Sequence, residues 1–231
     1  MKKEVKGIIF TILFFVLFVG FLYCVKNIDV DSIGPNGGKV GLSHINKQVF
    51  DKFGQDPNWD KISDYILYGA MATVAIFALI GLKQLIQRKS LLKIDADIYL
   101  LAAFYVVVVG VYVAFDKVII NCRPIVTDEG IEASFPSSHT LITLCFLATT
   151  MIQVANRVKN KAIKVIIDLV CIACIVVMSV ARLKAGMHWF SDVVGAILLG
   201  MFLVMLYYSL YSKIKSNKRE SSSLSFSNDM R

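Results

Sequence analysis

Apolar residues in this chain gather into long unbroken runs, at 7–25, 65–82, 98–115 and 193–211. Each approaches the roughly 20 residues that a helix needs to cross a bilayer. Two shorter runs, 140–155 and 165–181, the latter holding Asp168, bring the set to six. For these two, a buried helix that does not span is the other reading. The pattern predicts an all-α integral membrane bundle of six transmembrane helices. The first run follows a positive start, Met1-Lys-Lys-Glu-Val-Lys6, but no small-residue cleavage site comes after it and bulky Tyr23 precedes Cys24, so it reads as a retained helix.

Composition agrees: 56% of residues are hydrophobic, 18% are charged and the mean hydropathy is +0.64, which excludes an ordinary soluble domain. Lysine and arginine collect at Lys2, Lys3 and Lys6, at Lys83, Arg88, Lys89 and Lys93, at Arg157, Lys159, Lys161 and Lys164, and at Lys213, Lys215, Lys218 and Arg219. With six spans all four groups fall on one side, expected to be the cytoplasm, with both termini in it and the protein in the cell membrane. The net charge of +8 then serves insertion and contact with anionic membrane lipids, and no nucleic-acid partner is expected. Segments 26–64 and 117–138 and the turn 182–188 fall on the outer face. Within the first, a turn-rich Gly34-Pro-Asn-Gly-Gly38 precedes Ile45, Val49, Phe50 and Phe53 at helical spacing and then Trp59, predicting a helix that lies in the interface or packs onto the bundle. The membrane domain covers 1–211, this loop included, and 212–231 is a basic, serine-rich tail expected to be disordered and cytoplasmic. Cys171-x-x-Cys174 lies inside a span and reads as packing.

Two of the chain's three histidines stand at outer ends of apolar runs. His188 and Asp192 are one helical turn apart, so the carboxylate can hold the imidazole and free its other nitrogen for nucleophilic attack. Alone, such a pair is an ordinary surface contact. Pro136-Ser137-Ser138-His139 reads as a helix start, whose free amides and dipole favour an anion. Ser137 can add its hydroxyl and His139 can protonate a departing oxygen. Arg123 before Pro124 closes the third helix and Arg182 the fifth, offering guanidinium forks for a phosphoryl group.

Three ordered motifs, Lys117-x5-Arg123-Pro124, Pro136-Ser137-Ser138-His139 and Ala181-Arg182-x5-His188-x3-Asp192, carry a resemblance to the type 2 phosphatidic acid phosphatase superfamily. The resemblance covers about residues 100 to 211. It implies a lipid phosphatase in which His188 becomes a phosphohistidine, Asp192 orients it, His139 is the general acid, and Lys117, Arg123, Ser137, Ser138 and Arg182 hold the phosphate. No metal or other cofactor is expected, nor a required protein partner. The implied substrate is a lipid phosphate or diphosphate such as phosphatidic acid, phosphatidylglycerol phosphate or a polyprenyl diphosphate, turned over at the outer membrane face. Three positions depart from the family: Ser138 replaces glycine, Ala181 replaces serine, and a first motif one residue short puts Asp116 in the lysine position. On a continuous helix that displaces Lys117 by about 100°. A non-catalytic protein that binds or carries an anionic lipid would need only the arginines, and the full set of His188, Asp192 and His139 speaks against it.

Overall fold

The computed structural model describes residues 3–126 and 132–229, with side chains over 5–126 and 132–218. Its helices are α1 (Lys3–Asn27), α2 (Ser43–Phe53), α3 (Pro57–Arg88), α4 (Ala96–Asp116), α5 (Ser138–Arg157), α6 (Lys161–Lys184) and α7 (Phe190–Asp229). No strand occurs among the described residues, where only the isolated bridges Asp31 to Val40 and Cys122 to Ala133 are extended pairings. All but α2 are long and apolar enough to cross a bilayer, which makes six candidate spans among the described residues. The protein is a multi-pass membrane protein of the all-α class. Its exposed apolar side chains, such as Phe10, Val16, Leu79, Val106 and Leu169, form the surface that lipid covers.

Helix α5 is the hub. Buried residues make up 61% of its most apolar window, against 11% in α1, α3 and α6, and its mean hydropathy of 1.4 is the lowest of the six. The two facts have one cause, because a helix enclosed by others can carry polar side chains provided their hydrogen bonds close internally. Thr149 and Thr150 donate to the Cys145 and Phe146 carbonyls at 2.8 Å, and Gln153 donates to the Tyr207 hydroxyl at 2.7 Å. Helices α3, α6 and α7 pack around α5, and α1 packs chiefly along α7. Leu101, Phe104, Leu141, Leu144, Leu199 and Tyr207 fill the core between them.

Helix boundaries depart from the apolar runs where capping chemistry decides. Asp56 accepts from the Asn58 amide at 2.9 Å with Pro57 in the first turn, so α3 begins well outside its apolar run and carries Asp60 and Asp64 as helical residues. Helix α4 stops at Asp116. Arg123 therefore does not close a helix, as expected, but stands on an irregular segment whose backbone pairs with Glu132 and Ser134. At the far end of the chain, helix continues through Asp229 where a disordered tail is expected from residue 212. No glycine or proline follows Gly200 to break it. Lys215 of that segment lies 3.3 Å from buried Asp97, while Met230 and Arg231 lie outside the described residues.

The two ends of the bundle differ in chemistry. At one, Arg157 and Lys215 converge on Asp97, and Arg88 pairs with Asp95 at 3.0 Å. At the other lie α2, segments 117–126 and 132–137, the α6–α7 turn and the starts of α3 and α5, which bring the polar motifs together.

Candidate active site

Gly186, at φ +69, ends α6 in a left-handed turn and swings the chain back into α7. His188 sits in that turn, with its side chain 2% exposed. Its Nδ1 lies 3.0 Å from the Ser134 carbonyl and 3.7 Å from Asp192 Oδ2. A carbonyl only accepts, so Nδ1 carries the proton and Nε2 the lone pair. Nε2 is buried without a hydrogen-bond partner among the described residues. Burial holds the imidazole well below its ordinary pKa, and the positive charges of Arg182 and Arg123 push the same way, so the ring is neutral at pH 7.

Asp192 is fully buried behind this histidine, though its role differs from the expected direct grip on the ring. Its carboxylate accepts from the Trp189 amide at 2.9 Å and from Asn121 Nδ2 at 3.0 Å. Asn121 also donates to Ser191 Oγ and accepts from the Gly41 amide. Asp192 thus fixes the turn that carries His188, while the Ser134 carbonyl meets the ring itself. That carbonyl left no trace in the sequence, since any residue supplies one.

Beside His188 a cavity open to the outside is lined by Arg123, Ser138 and His188 together with Tyr112, Phe115, Asp116, Ser134 and Leu141. Of the residues expected at the site, Arg123, Ser138 and His188 face the cavity. Ser137 takes the N-cap position of α5, but its hydroxyl turns to Thr140 Oγ1 at 3.1 Å, its amide donates to the Asp192 carbonyl, and its side chain is buried away from the opening. Lys117 is not part of the wall. Its side chain is 77% exposed, with Nζ 3.5 Å from Asp116, because α4 has ended and the chain turns outward there. Asp116 lines the cavity in its place.

Each remaining cation of the motifs has an acidic partner. Arg123 Nε lies 2.7 Å from Glu132, Arg182 Nη1 lies 2.6 Å from Asp60, and His139 Nε2 lies 3.2 Å from Asp64. Arg182 also donates to Ser63 Oγ at 2.8 Å, and its Nε is buried without a partner. Asp60, Ser63 and Asp64 lie outside the apolar runs, within the outer segment 26–64 that the sequence predicts, and no motif singles them out. The Asp56-Pro57 helix start was the signal that places them one turn apart on a helix face.

A family model described as the PAP2 superfamily matches residues 117–216, the stretch that holds Arg123, His139, Arg182, His188 and Asp192. Over 89 residues, 38% of this chain, the sequence is 27% identical to lipid phosphate phosphatase delta from Arabidopsis thaliana. The match spans only about a fifth (21%) of the length of that curated relative. The fold is similar to that of a transmembrane PAP2 type phosphatidylglycerolphosphate phosphatase from Bacillus subtilis, known from a crystal structure, with a TM-score of 0.61, 15% identity, and coverage of 88% of this chain and 96% of that one. Residues 117–216 thus resemble the PAP2 superfamily, within a fold similar to that of a transmembrane PAP2 type phosphatase.

Proposed function

We propose that the protein hydrolyses a lipid phosphate or diphosphate through a phosphohistidine on His188, at the outer face of the cell membrane. The observation that carries this reading is the unpartnered Nε2 of a neutral, buried His188 at the wall of an open cavity beside Arg123 and the start of α5. A protein that only binds or carries an anionic lipid would need the arginines and would gain nothing from a desolvated imidazole lone pair.

In this mechanism the phosphoryl group enters the cavity against the Arg123 guanidinium and the α5 start at Ser138, where free amides and the helix dipole favour its charge. Arg182 does not line the cavity, but its Nε is left without an acceptor among the described residues, beside Asp60 and Ser63, as a donor free for a phosphoryl oxygen. His188 Nε2 bonds to phosphorus while Nδ1–H stays on the Ser134 carbonyl, and Asp192 keeps the turn in register. The phosphorus–oxygen bond to the lipid breaks, and the departing oxygen takes a proton from His139. Water then attacks the phosphohistidine, returns its proton to His139 and releases inorganic phosphate. The lipid chains lie between helices near Tyr112, Phe115 and Leu141 of the cavity wall. Phosphatidic acid, phosphatidylglycerol phosphate and polyprenyl diphosphates all present the required group.

The decisive experiment offers this panel to detergent-purified protein in EDTA, for wild type and His188→Ala. Phosphate release by the wild type alone is expected. Undiminished turnover by the variant would refute the reading.

A further inference from the structure

Helix α3 contributes nothing to the three sequence motifs, yet its first turns grip two of their residues. Asp60 Oδ1 holds Arg182 Nη1 at 2.6 Å, and Asp64, one turn on, places Oδ1 3.2 Å from His139 Nε2. Asp60 is occupied by the guanidinium, so Asp64 is the carboxylate that belongs to the histidine. His139 itself is fixed at its backbone, being the second residue of α5, and its side chain is only 24% exposed. A ring bonded through one nitrogen presents the other, because the partner of the first sets the orientation and proton of the second. With Nε2–H donated to Asp64, the protonated ring carries its second proton on Nδ1, the atom left for a leaving group.

We propose that Asp64 is the positioning residue of the general acid, holding His139 by Nε2 so that Nδ1–H stands at the ester oxygen. This rests on the phosphohistidine reading above. As His188 Nε2 bonds to phosphorus, the electron pair of the breaking phosphorus–oxygen bond goes to the lipid oxygen, which takes the Nδ1 proton and leaves as the alcohol. His139 is then neutral, with Nε2–H still on Asp64. Its Nδ1 accepts the proton of the attacking water in the second step, when the phosphorus–nitrogen bond breaks and its electron pair returns to His188.

Such a role has a signature that packing does not share. A lipid alkoxide is a poor leaving group and needs the proton, whereas an aryl oxide departs largely without help. Losing the acid's alignment therefore slows alkyl phosphates selectively.

The test measures kcat and KM of the full chain in detergent for dioctanoyl phosphatidic acid and for p-nitrophenyl phosphate. It compares wild type with Asp64→Asn, Asp64→Ser, His139→Ala and the Asp64→Asn/His139→Ala pair. With general acid–base catalysis contributing about 10²–10⁴-fold, the Asp64 variants should lower kcat on phosphatidic acid about 30-fold with little change in KM, and on the aryl ester about 3-fold. The double variant should be no slower than His139→Ala alone. Equal losses on both substrates in both Asp64 variants, or additive losses in the pair, would overturn the assignment. A wild type without turnover, or an active His188→Ala, would overturn the phosphohistidine reading instead and take this assignment with it.

Discussion

Lys117 and Arg123 belong to the same short motif, and the structure assigns them different fates. Arg123 lines the cavity with its Nε against Glu132, while Lys117 projects beyond the end of α4 and pairs with its neighbour Asp116. An exposed ion pair of that kind contributes about 0–1 kcal/mol. Lys117→Ala should therefore change kcat/KM for phosphate release by less than about threefold. Arg123→Ala, which removes a donor aimed at the developing charge, should lower it by about 10²–10³. Comparable losses in the two variants would put Lys117 back at the phosphate. The sequence made His188, His139, Arg123 and Arg182 legible because rare polar residues at the ends of apolar runs stand out. Ser134 and Asn121 stayed hidden for opposite reasons: one acts through its backbone, and the other is an unremarkable amide in a loop until folding brings it 3.0 Å from Asp192.

Among the elements, the six spans could be read from length and apolarity alone, because lipid-facing and core-facing positions are both apolar there. Helix α2 was legible in place but not in orientation. The apolar residues that predict it include Ile45, which is 42% exposed, whereas the face against the bundle carries Asn46, which is fully buried, and Phe50 against Trp189. Asn46 donates to the Gly41 carbonyl and to Ser191 Oγ, both at 2.8 Å, and accepts from the Ser191 amide at 2.9 Å. It thereby ties α2 to Ser191 at the start of α7, three residues after His188. Asn46→Ala strands those partners in the interior, at a cost of about 1–3 kcal/mol for each group left unsatisfied. The variant should melt at a clearly lower temperature in detergent, read by loss of helical circular dichroism, and an unchanged midpoint would show that water replaces the amide there. Asp60 and Asp64 belong at this scale too, since their partners lie 122 and 75 residues away and no local spacing announces them.

For the molecule as a whole, the clustering of Arg88, Arg157 and Lys215 around Asp95 and Asp97 sets a basic end against the end that holds the cavity. The proposed outward-facing cavity requires this basic end to lie in the cytoplasm. In a background without the native cysteines, a single cysteine at Ile119, which is 64% exposed, should react with a membrane-impermeant maleimide in intact cells. One at Leu92, which is 96% exposed at the other end, should react only after permeabilisation. The reverse pattern would invert the orientation.

The pairing of α1 with α7 bears on how the chain is made. These helices are the most distant of the bundle in sequence, yet α1 rests chiefly on α7. During synthesis α1 must wait in the bilayer through the insertion of four other spans before its partner emerges. Its mean hydropathy of 2.9, the highest of the six, lets it wait as a lone helix dissolved in lipid. Assembly thus closes on the helix that also carries Asp192, so the proposed site and the last helix pairing of the bundle arrive with the same segment of chain.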